Sequence, residues 1–294
     1  MLSLSRPFAA RLLPAADLLL LLVALVWGTS YGVAKQALAF YPVLGFLAVR
    51  FCLTFLILLP QLRGAGRRAW APGLPLGAAL LAIFLAETYG VQLTTASNAA
   101  FLISLCVVLT PFVEWALLRQ RPAPRVWPAV GLSLLGAWLL SGGVALQFGL
   151  GDGLMLLAAL LRALAVCLTR WLTVGREVPA LALTAVQTGV VGFGCLALGA
   201  LALPDGLPAL PQAPAFWFGT LYLVAFATLF AFFVQNWALS RSSPTKVALL
   251  MGSEPLFGAL FAVFWLDERL GVAAWCGGLL IVAATLWTSL ARRD

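Results

Sequence analysis

The sequence predicts an all-α polytopic membrane protein, with ten transmembrane helices in two inverted five-helix repeats and both termini in the cytoplasm. Two observations support this fold class. The 294 residues are 63% hydrophobic and 10% charged, with a mean hydropathy of +1.04, a composition that soluble domains of this length do not show. The second half of the chain also repeats the first, so we expect one repeat over 1–148 and the other over 149–294.

A spanning helix needs about 20 predominantly apolar residues, and about ten segments of the chain meet that requirement. The first segment follows Arg6 and Arg11 and imitates a secretory signal peptide. Its apolar run is as long as a full span and has a matching copy in the second half, so we predict a transmembrane helix instead. The predicted spans are 17–36, 42–62, 73–93, 97–118, 127–147, 152–174, 179–203, 214–239, 244–266 and 271–290.

The repeat is visible in two pairs of stretches. Residues 17–35 match 152–170 at one constant offset, while 98–111 and 242–255 both begin with small polar residues, continue apolar and reach a proline. Each repeat holds an odd number of predicted spans, so the two copies must lie upside down relative to each other. Inverted repeats of this kind are typical of secondary transporters.

The net charge of +8 is distributed according to the predicted loops. Every second loop is basic, and the positive-inside rule then places both termini in the cytoplasm, which requires an even number of spans. Because topology explains the basic surplus, no nucleic-acid partner is expected. The basic loop residues are Arg6, Arg11, Arg63, Arg67, Arg68, Arg119, Arg121, Arg125, Arg170, Arg176, Arg241, Lys246, Arg292 and Arg293, and the alternate loops hold Asp152, Asp205, Asp267 and Glu268.

The sequence lacks the residues of common enzymatic and metal sites. It has no His, the commonest metal ligand and general base, and no Walker A motif for a nucleotide. The five cysteines lie in apolar segments without paired or metal-ligand spacing, so we expect buried small hydrophobic residues. No enzyme activity, metal or cofactor is expected.

Residues 28–32 match the G-x-S-x-G motif of hydrolases, but that motif needs a strand-to-helix turn and a His. The same residues also match G-x-x-x-G, which places two glycines on one helix face. The sequence therefore predicts a close approach between this helix and another backbone, either for packing alone or also to make room for a solute.

Residues 27–35, WGTSYGVAK, resemble the first helix of EamA-type proteins of the drug/metabolite transporter superfamily. The resemblance implies the drug/metabolite transporter fold, with two inverted five-helix repeats around a central cavity lined by predicted helices 1, 3, 4, 6, 8 and 9. The resemblance continues in chain order through Arg50, 94–100, Pro111, 151–152, Pro244, 254–255 and 267–269.

The resemblance also implies a function. Members of the family export amino acids and related metabolites across the bacterial inner membrane by alternating access, and the chain is most similar to the YddG-type amino-acid exporter branch. The expected partners are a small-molecule substrate, apolar or aromatic amino acids among them, and membrane lipid. We expect a multi-pass inner-membrane protein that is monomeric.

Charged side chains within predicted spans are costly unless they are paired or hydrated, so they are the strongest indication of a site. Arg50 and Glu87 lie at similar depth on consecutive helices, which predicts an ion pair. Arg50 is interpreted as a structural charge, and Glu87 is also a candidate substrate-binding residue. Arg162 and Glu254 lie near the midplane and are predicted to form a second pair. That pair is either structural or functional, since a Glu can bind a substrate ammonium or carry a proton and an Arg can bind a carboxylate.

Further candidate residues are aromatic, amide or proline. Trp27, Tyr31 and Tyr89 lie within helices, where they either pack or contact a substrate. Asn98, at a polar turn, is a further candidate for substrate binding. Proline removes a backbone hydrogen bond and kinks a helix, so two prolines in matching helices predict hinges or simple bends. Those prolines are Pro111 and Pro255. Glu114 lies near Arg119 at the end of its span and is predicted to be interfacial.

Other functions remain open. The chain could be a drug, nucleotide-sugar or lipid-linked metabolite carrier, and competition between solutes would separate these from an amino-acid exporter. A membrane-embedded enzyme would need a nucleophile, base or metal ligands clustered at one depth, which the sequence does not show. An accessory subunit without transport, a facilitator and a proton antiporter are further alternatives.

Overall fold

The structure is a computed structural model that describes residues 15–94, 96–141, 149–203, 206–266 and 271–290, and every regular element in these ranges is helical. Short 3-10 turns at Leu59–Leu62 and Gly64–Ala69 connect the second and third helices, and a π-helical segment lies at Leu223–Phe230. The α-helices are α1 (Ala15–Leu38), α2 (Val43–Leu58), α3 (Trp70–Leu93), α4 (Ala96–Ser104), α5 (Cys106–Leu118), α6 (Val126–Leu140), α7 (Leu150–Thr173), α8 (Ala180–Ala202), α9 (Pro214–Tyr222), α10 (Ala231–Leu239), α11 (Pro244–Met251), α12 (Glu254–Leu266) and α13 (Val272–Leu290).

Seven helical stretches of the described residues are long and apolar enough to cross a membrane. The remaining predicted spans differ in length or continuity. Val126–Leu140 and Val272–Thr288 are apolar but shorter, and 244–266 is divided into two helices. The count of ten spans and the orientation of the termini therefore stay predictions. The seven stretches are Ala15–Leu38, Val43–Leu62, Gly66–Leu93, Phe101–Leu118, Leu150–Thr173, Ala180–Ala202 and Pro214–Leu239.

The surface carries large apolar side chains, as expected of a bundle in lipid. Leu201 is 85% exposed, Phe218 76% and Leu279 67%. The largest hydrophobic core cluster joins helices from both halves of the chain, with Phe46 and Phe216 almost fully buried in it. The two halves therefore share one core.

One helix in each half is interrupted where the sequence predicted a single span, and the two interrupted helices belong to matching spans of the repeat. The breaks lie between α4 and α5 and between α11 and α12. The Ser104 hydroxyl donates to the Phe101 carbonyl (2.6 Å), and the Ser253 hydroxyl donates to the Leu250 carbonyl (2.7 Å). A serine that bonds its own helix in this way competes with the backbone ladder and favours a break.

The two prolines predicted as hinges lie close to these breaks. Pro255 is the second residue of α12, where a missing N–H costs little because the first helical N–H groups have no intrahelical partner. Pro111 lies inside α5. Their hinge function stays a prediction.

The packing of the helices is unchanged when the halves are exchanged. α7 packs on α3 and α5, and α1 correspondingly packs along 214–239 and on α12; α2 packs on α8, and α6 on α13. Counted as predicted spans, span 6 packs on spans 3 and 4, and its counterpart span 1 packs on spans 8 and 9. Span 2 packs on its own counterpart, span 7, and span 5 packs on its counterpart, span 10. A two-fold relation between the two halves of the chain would produce this pattern.

Glycines allow the closest of these contacts. A Cβ on Gly136 would lie 2.6 Å from the carbonyl oxygen of Gly277, and a Cβ on Gly277 would lie 2.5 Å from that of Gly136. Small residues at such crossings let two backbones touch, which is how membrane helices gain packing energy without a hydrophobic driving force.

Candidate functional site

Three charged side chains meet halfway along the bundle. Arg162 on α7 lies between Glu87 on α3 and Glu254 on α12: its Nε is 3.8 Å from Glu87 Oε2, and its Nη1 is 3.5 Å from Glu254 Oε2. All three side chains are at most 18% exposed. The predicted Arg162–Glu254 pair is confirmed, and Glu87 joins it. We name these three residues the charged cluster.

Trp27 forms the floor of the charged cluster. The Arg162 guanidinium carbon lies 4.9 Å from the centre of the Trp27 ring, a cation–π contact. The indole N–H donates to the carbonyl of Ala227 (2.9 Å), which fixes the ring. Trp27 and Arg162 occupy matched positions in the two sequence repeats, so the contact joins two equivalent positions of the two halves.

The predicted Arg50–Glu87 pair is found only as an electrostatic interaction: both side chains line one cavity, while Glu87 contacts Arg162 and Arg50 bonds other groups. Arg50 Nε donates to the Thr228 hydroxyl (2.7 Å), and Nη2 donates to the Ala227 carbonyl (3.4 Å). The π-helical segment explains this choice. A π turn displaces the backbone hydrogen-bond ladder, and Ala227 then accepts from both Trp27 and Arg50. No sequence signal for such a turn was recognised.

Two small cavities adjoin the charged cluster, one on each side along the bundle axis. They have volumes of about 70 and about 60 Å³ and share Trp27 and the cluster as a common wall. Along α3 the first cavity touches residues within 76–87, towards the end of the bundle where α1 begins. The second touches residues within 84–91, towards the opposite end. Each holds the volume of roughly two waters, so a larger solute requires the helices to move.

The first cavity combines an apolar wall with amide groups. Phe84 and Phe232 line it, together with Gln187 and Asn236. The Asn236 amide donates to Gln187 Oε1 (2.7 Å) and to the Thr184 hydroxyl (3.0 Å), so these polar groups are held in place. A cavity with a few fixed polar groups in an apolar wall is typical of small-molecule sites.

Both helix breaks border the first cavity. Ser104 and Cys106 flank the first break, Gly252 and Glu254 flank the second, and all four line the cavity. Irregular backbone at membrane depth is tolerated where it lines a cavity. Interrupted helices in matching places of two repeats are also where transporters build their sites.

The glycine contact predicted for residues 28–32 is confirmed at Gly28. A Cβ there would lie 2.6 Å from the Glu254 carbonyl and 2.7 Å from the Gly258 nitrogen, so α1 and α12 touch backbone to backbone. At Gly32 the nearest atom to such a Cβ is a Phe261 ring carbon at 4.0 Å. The crossing therefore sets where the first residue of α12, Glu254, lies.

At the two ends of the bundle, acidic residues hold helix starts together. At the end where α1 begins, Asp17 pairs with Lys246 (2.9 Å), near the start of α11. At the opposite end, Asp152 accepts from the Thr94 hydroxyl (2.5 Å), just before α4. Asp17 and Asp152 are matched positions in the sequence repeat.

The interfacial depth predicted for Glu114 stays a prediction, and the structure shows a partner that the sequence did not suggest. Glu114 is 5% exposed, and its carboxylate accepts from the backbone N–H of Thr245 (2.9 Å) and from the Thr245 hydroxyl. It thus caps the positive N-terminal end of α11, a stabilising place for a carboxylate. This contact depends on two segments far apart in the chain, so local sequence could not indicate it.

The other candidates lie elsewhere. Tyr89 is half-buried against the core and does not belong to the lining of either cavity that the structure describes. The side chains of Tyr31 and Asn98, and residues 267–269, lie outside the described part of the chain. Cys276 is exposed, contrary to the prediction of buried cysteines, whereas Cys167 and Cys195 are buried.

An apolar helical bundle with a buried charged cluster between two cavities, bordered by interrupted helices, has the architecture of a multi-pass membrane transporter. Sequence comparison agrees. The model of the EamA-like transporter family matches residues 14–142 and again 149–290. The chain belongs to this family.

Relatives in other organisms are similar over almost the full length. An uncharacterized transporter of Archaeoglobus fulgidus is 31% identical, over 94% of this chain and 86% of its own. The uncharacterized transporter YwfM of Bacillus subtilis is 27% identical, over 94% of both chains. A solved crystal structure, 20% identical, superposes with a TM-score of 0.76 over 94% of this chain and 96% of its own, which shows a shared fold.

Proposed function

We propose that the protein is a secondary transporter of the YddG type that exports amino acids, apolar or aromatic ones among them, and related small metabolites across the bacterial inner membrane. The observation that carries this proposal is the charged cluster on Trp27, placed between two cavities. One cation and two carboxylates face the same space, so the cluster offers partners to both ends of a zwitterion.

The position of the cluster supports substrate binding in addition to a structural ion pair. Arg162, Glu87 and Glu254 all line both central cavities, so a solute in either cavity reaches the three charges. We infer that a substrate carboxylate binds Arg162 while the ammonium binds Glu87 or Glu254. Trp27, Phe84 and Phe232 then offer apolar contact to the substrate side chain.

Alternating access follows from the same architecture. The cluster separates a cavity towards one end of the bundle from a cavity towards the other. The helix pairs that keep their partners when the two halves are exchanged support two inverted repeats over 1–148 and 149–294. We propose that the repeats rock about the cluster and that the interrupted helices near Pro111 and Pro255 bend during that motion.

Counterflow in liposomes tests the substrate class. Purified protein is reconstituted, the vesicles are loaded with unlabelled phenylalanine or leucine, and uptake of the labelled amino acid is measured. We expect uptake above that of empty vesicles. Counterflow of a labelled cationic drug, nucleotide sugar or lipid-linked metabolite, without amino-acid flux, would indicate another carrier, and no flux of any solute would support an accessory subunit.

Two substitutions test the site. Arg162→Gln should weaken amino-acid competition roughly tenfold or more while changing competition by the matching amine, phenethylamine, much less, because the amine has no carboxylate. Glu254→Gln should weaken competition by phenethylamine and leave competition by N-acetyl-phenylalanine unchanged. Arg68→Gln is the matched control, since Arg68 is 60% exposed and pairs with Glu177 on the surface. Equal loss for all solutes would contradict the assigned roles.

The same vesicles distinguish coupling mechanisms. In a proton antiporter, an imposed pH gradient drives accumulation of the labelled amino acid, and a carboxylate of the cluster is the proton carrier. Replacing that carboxylate with Gln then abolishes accumulation while counterflow continues. In a facilitator, the gradient has no effect.

A further inference from the structure

A third cavity lies away from the charged cluster, at the end of the bundle where α1 begins. Its volume is about 330 Å³, several times that of either central cavity. Its wall is built by the α5–α6 connection, the last turn of α7, the α10–α11 connection and the end of α13. We name it the basic cavity.

The charge of the basic cavity is strongly positive. Five cationic side chains line it, and the single carboxylate among the lining residues is that of Glu114, which already accepts two hydrogen bonds from Thr245. Lys246 is paired with Asp17. The cations are Arg121, Arg125, Arg170, Arg241 and Lys246.

Arg170 and Arg241 have donor capacity beyond their contacts with the chain. Arg170 donates through Nη1 to the Leu239 carbonyl (3.0 Å), and Arg241 donates through Nη1 to Trp237 and Ser240. A guanidinium carries five N–H donors in a fork that matches carboxylate or phosphate oxygens. The serine hydroxyls of the α10–α11 connection line the same space.

The wall also contains a tryptophan typical of the membrane interface. Trp287 lines the cavity near the end of α13, and its indole N–H donates to the Arg125 carbonyl (3.0 Å). Tryptophans at helix ends lie at the level of the lipid headgroups. The cavity is therefore expected at the depth where phosphate groups are concentrated.

We propose that the basic cavity binds a phosphate group, carried either by an anionic phospholipid headgroup or by a small soluble anion. The positive-inside rule requires only that the loops at this end contain basic residues. Arg63 and Arg67 meet that requirement without lining the basic cavity. The basic cavity differs because cations from four segments converge on one concave space. This site is separate from the proposed substrate cluster, and its occupancy does not depend on what is transported.

Lipid retention and thermal stability test the proposal. The full chain is purified in neutral detergent and titrated with phosphatidylglycerol or phosphatidylcholine, and bound lipid is counted by native mass spectrometry. We expect phosphatidylglycerol to bind and raise the melting temperature, and phosphatidylcholine to do neither. The variant Arg125→Gln/Arg241→Gln should bind phosphatidylglycerol roughly tenfold more weakly.

The double variant Arg63→Gln/Arg67→Gln is the matched control, because it removes the same charge at the same end and leaves the cavity intact. Inorganic phosphate identifies the source of the ligand. If phosphate alone stabilises the wild type, and the cavity variant but not the control loses this effect, the ligand is a soluble anion. The proposal is overturned if the cavity variant and the control variant bind phosphatidylglycerol equally well and also bind phosphate equally well.

Discussion

Arg162 and Trp27 hold the same place in the two repeats, and in the folded chain the guanidinium of one lies on the ring of the other. Matched residues can meet only near the axis that relates the two halves. The centre of the molecule therefore holds an unlike pair where strict symmetry would place two equal side chains. Glu254 and Arg50 also lie at positions where the other repeat has a different residue, Thr110 and Gln187.

The two contacts of Trp27 can be separated by substitution. Trp27→Phe keeps a ring under Arg162 but removes the donor to the Ala227 carbonyl, which should cost about 1 kcal/mol of stability and leave counterflow measurable. Trp27→Ala removes both contacts and should abolish counterflow. Melting temperature and flux are the measurements, with Trp171→Phe as control because Trp171 is 57% exposed. Unchanged flux in Trp27→Ala would exclude Trp27 from the site.

At the scale of the helices, the site depends on departures from regular geometry. The π turn offers the Ala227 carbonyl to two side chains, the two breaks border the cavity, and the glycine crossing brings α1 against α12. The breaks and the crossing have local causes, which are serines that bond their own helix and a glycine without a Cβ, whereas the π turn has none that its sequence shows. Together they place Glu254 against Arg162.

The glycine crossing gives a prediction about stability and flux. Gly28→Ala adds a Cβ 2.6 Å from the Glu254 carbonyl, so α1 and α12 must separate at a cost of roughly 1–3 kcal/mol. We expect a lower melting temperature in detergent and weaker counterflow. Gly131→Ala in α6 is the control, because a Cβ there meets no atom within 4 Å. A melting temperature equal to that of the control would contradict the close crossing.

At the scale of the whole molecule, composition and internal repetition predicted a helical membrane protein, and mid-membrane charges predicted the Arg162–Glu254 pair. The sequence did not predict the hydrogen-bond partners of Arg50, because a π turn in LVAFATLF presents them and the residues of that segment are ordinary helix formers. Nor did it predict that Glu114 caps α11, since that contact joins residues far apart in the chain. Long-range geometry, rather than local pattern, decided both.

The predicted orientation can be tested on intact cells. The native cysteines are first replaced, and a membrane-impermeant thiol reagent is added to the cells. Arg63→Cys, between α2 and α3, should react with this reagent only after the membrane is permeabilised. Leu210→Cys, before α9, should react from outside, since Leu210 is 54% exposed in the loop that the charge pattern places there. The reverse labelling pattern would contradict cytoplasmic termini.

The matched residues Asp17 and Asp152 fasten the two ends of the bundle by different chemistry. Asp17 holds Lys246 by an ion pair, whereas Asp152 accepts from the neutral hydroxyl of Thr94. Both side chains of the Asp17–Lys246 pair are largely buried, so dissolved ions screen their attraction only weakly. Separating two buried opposite charges costs more than losing one hydrogen bond to a neutral hydroxyl. The contact at the Asp17 end is therefore the more costly of the two to break.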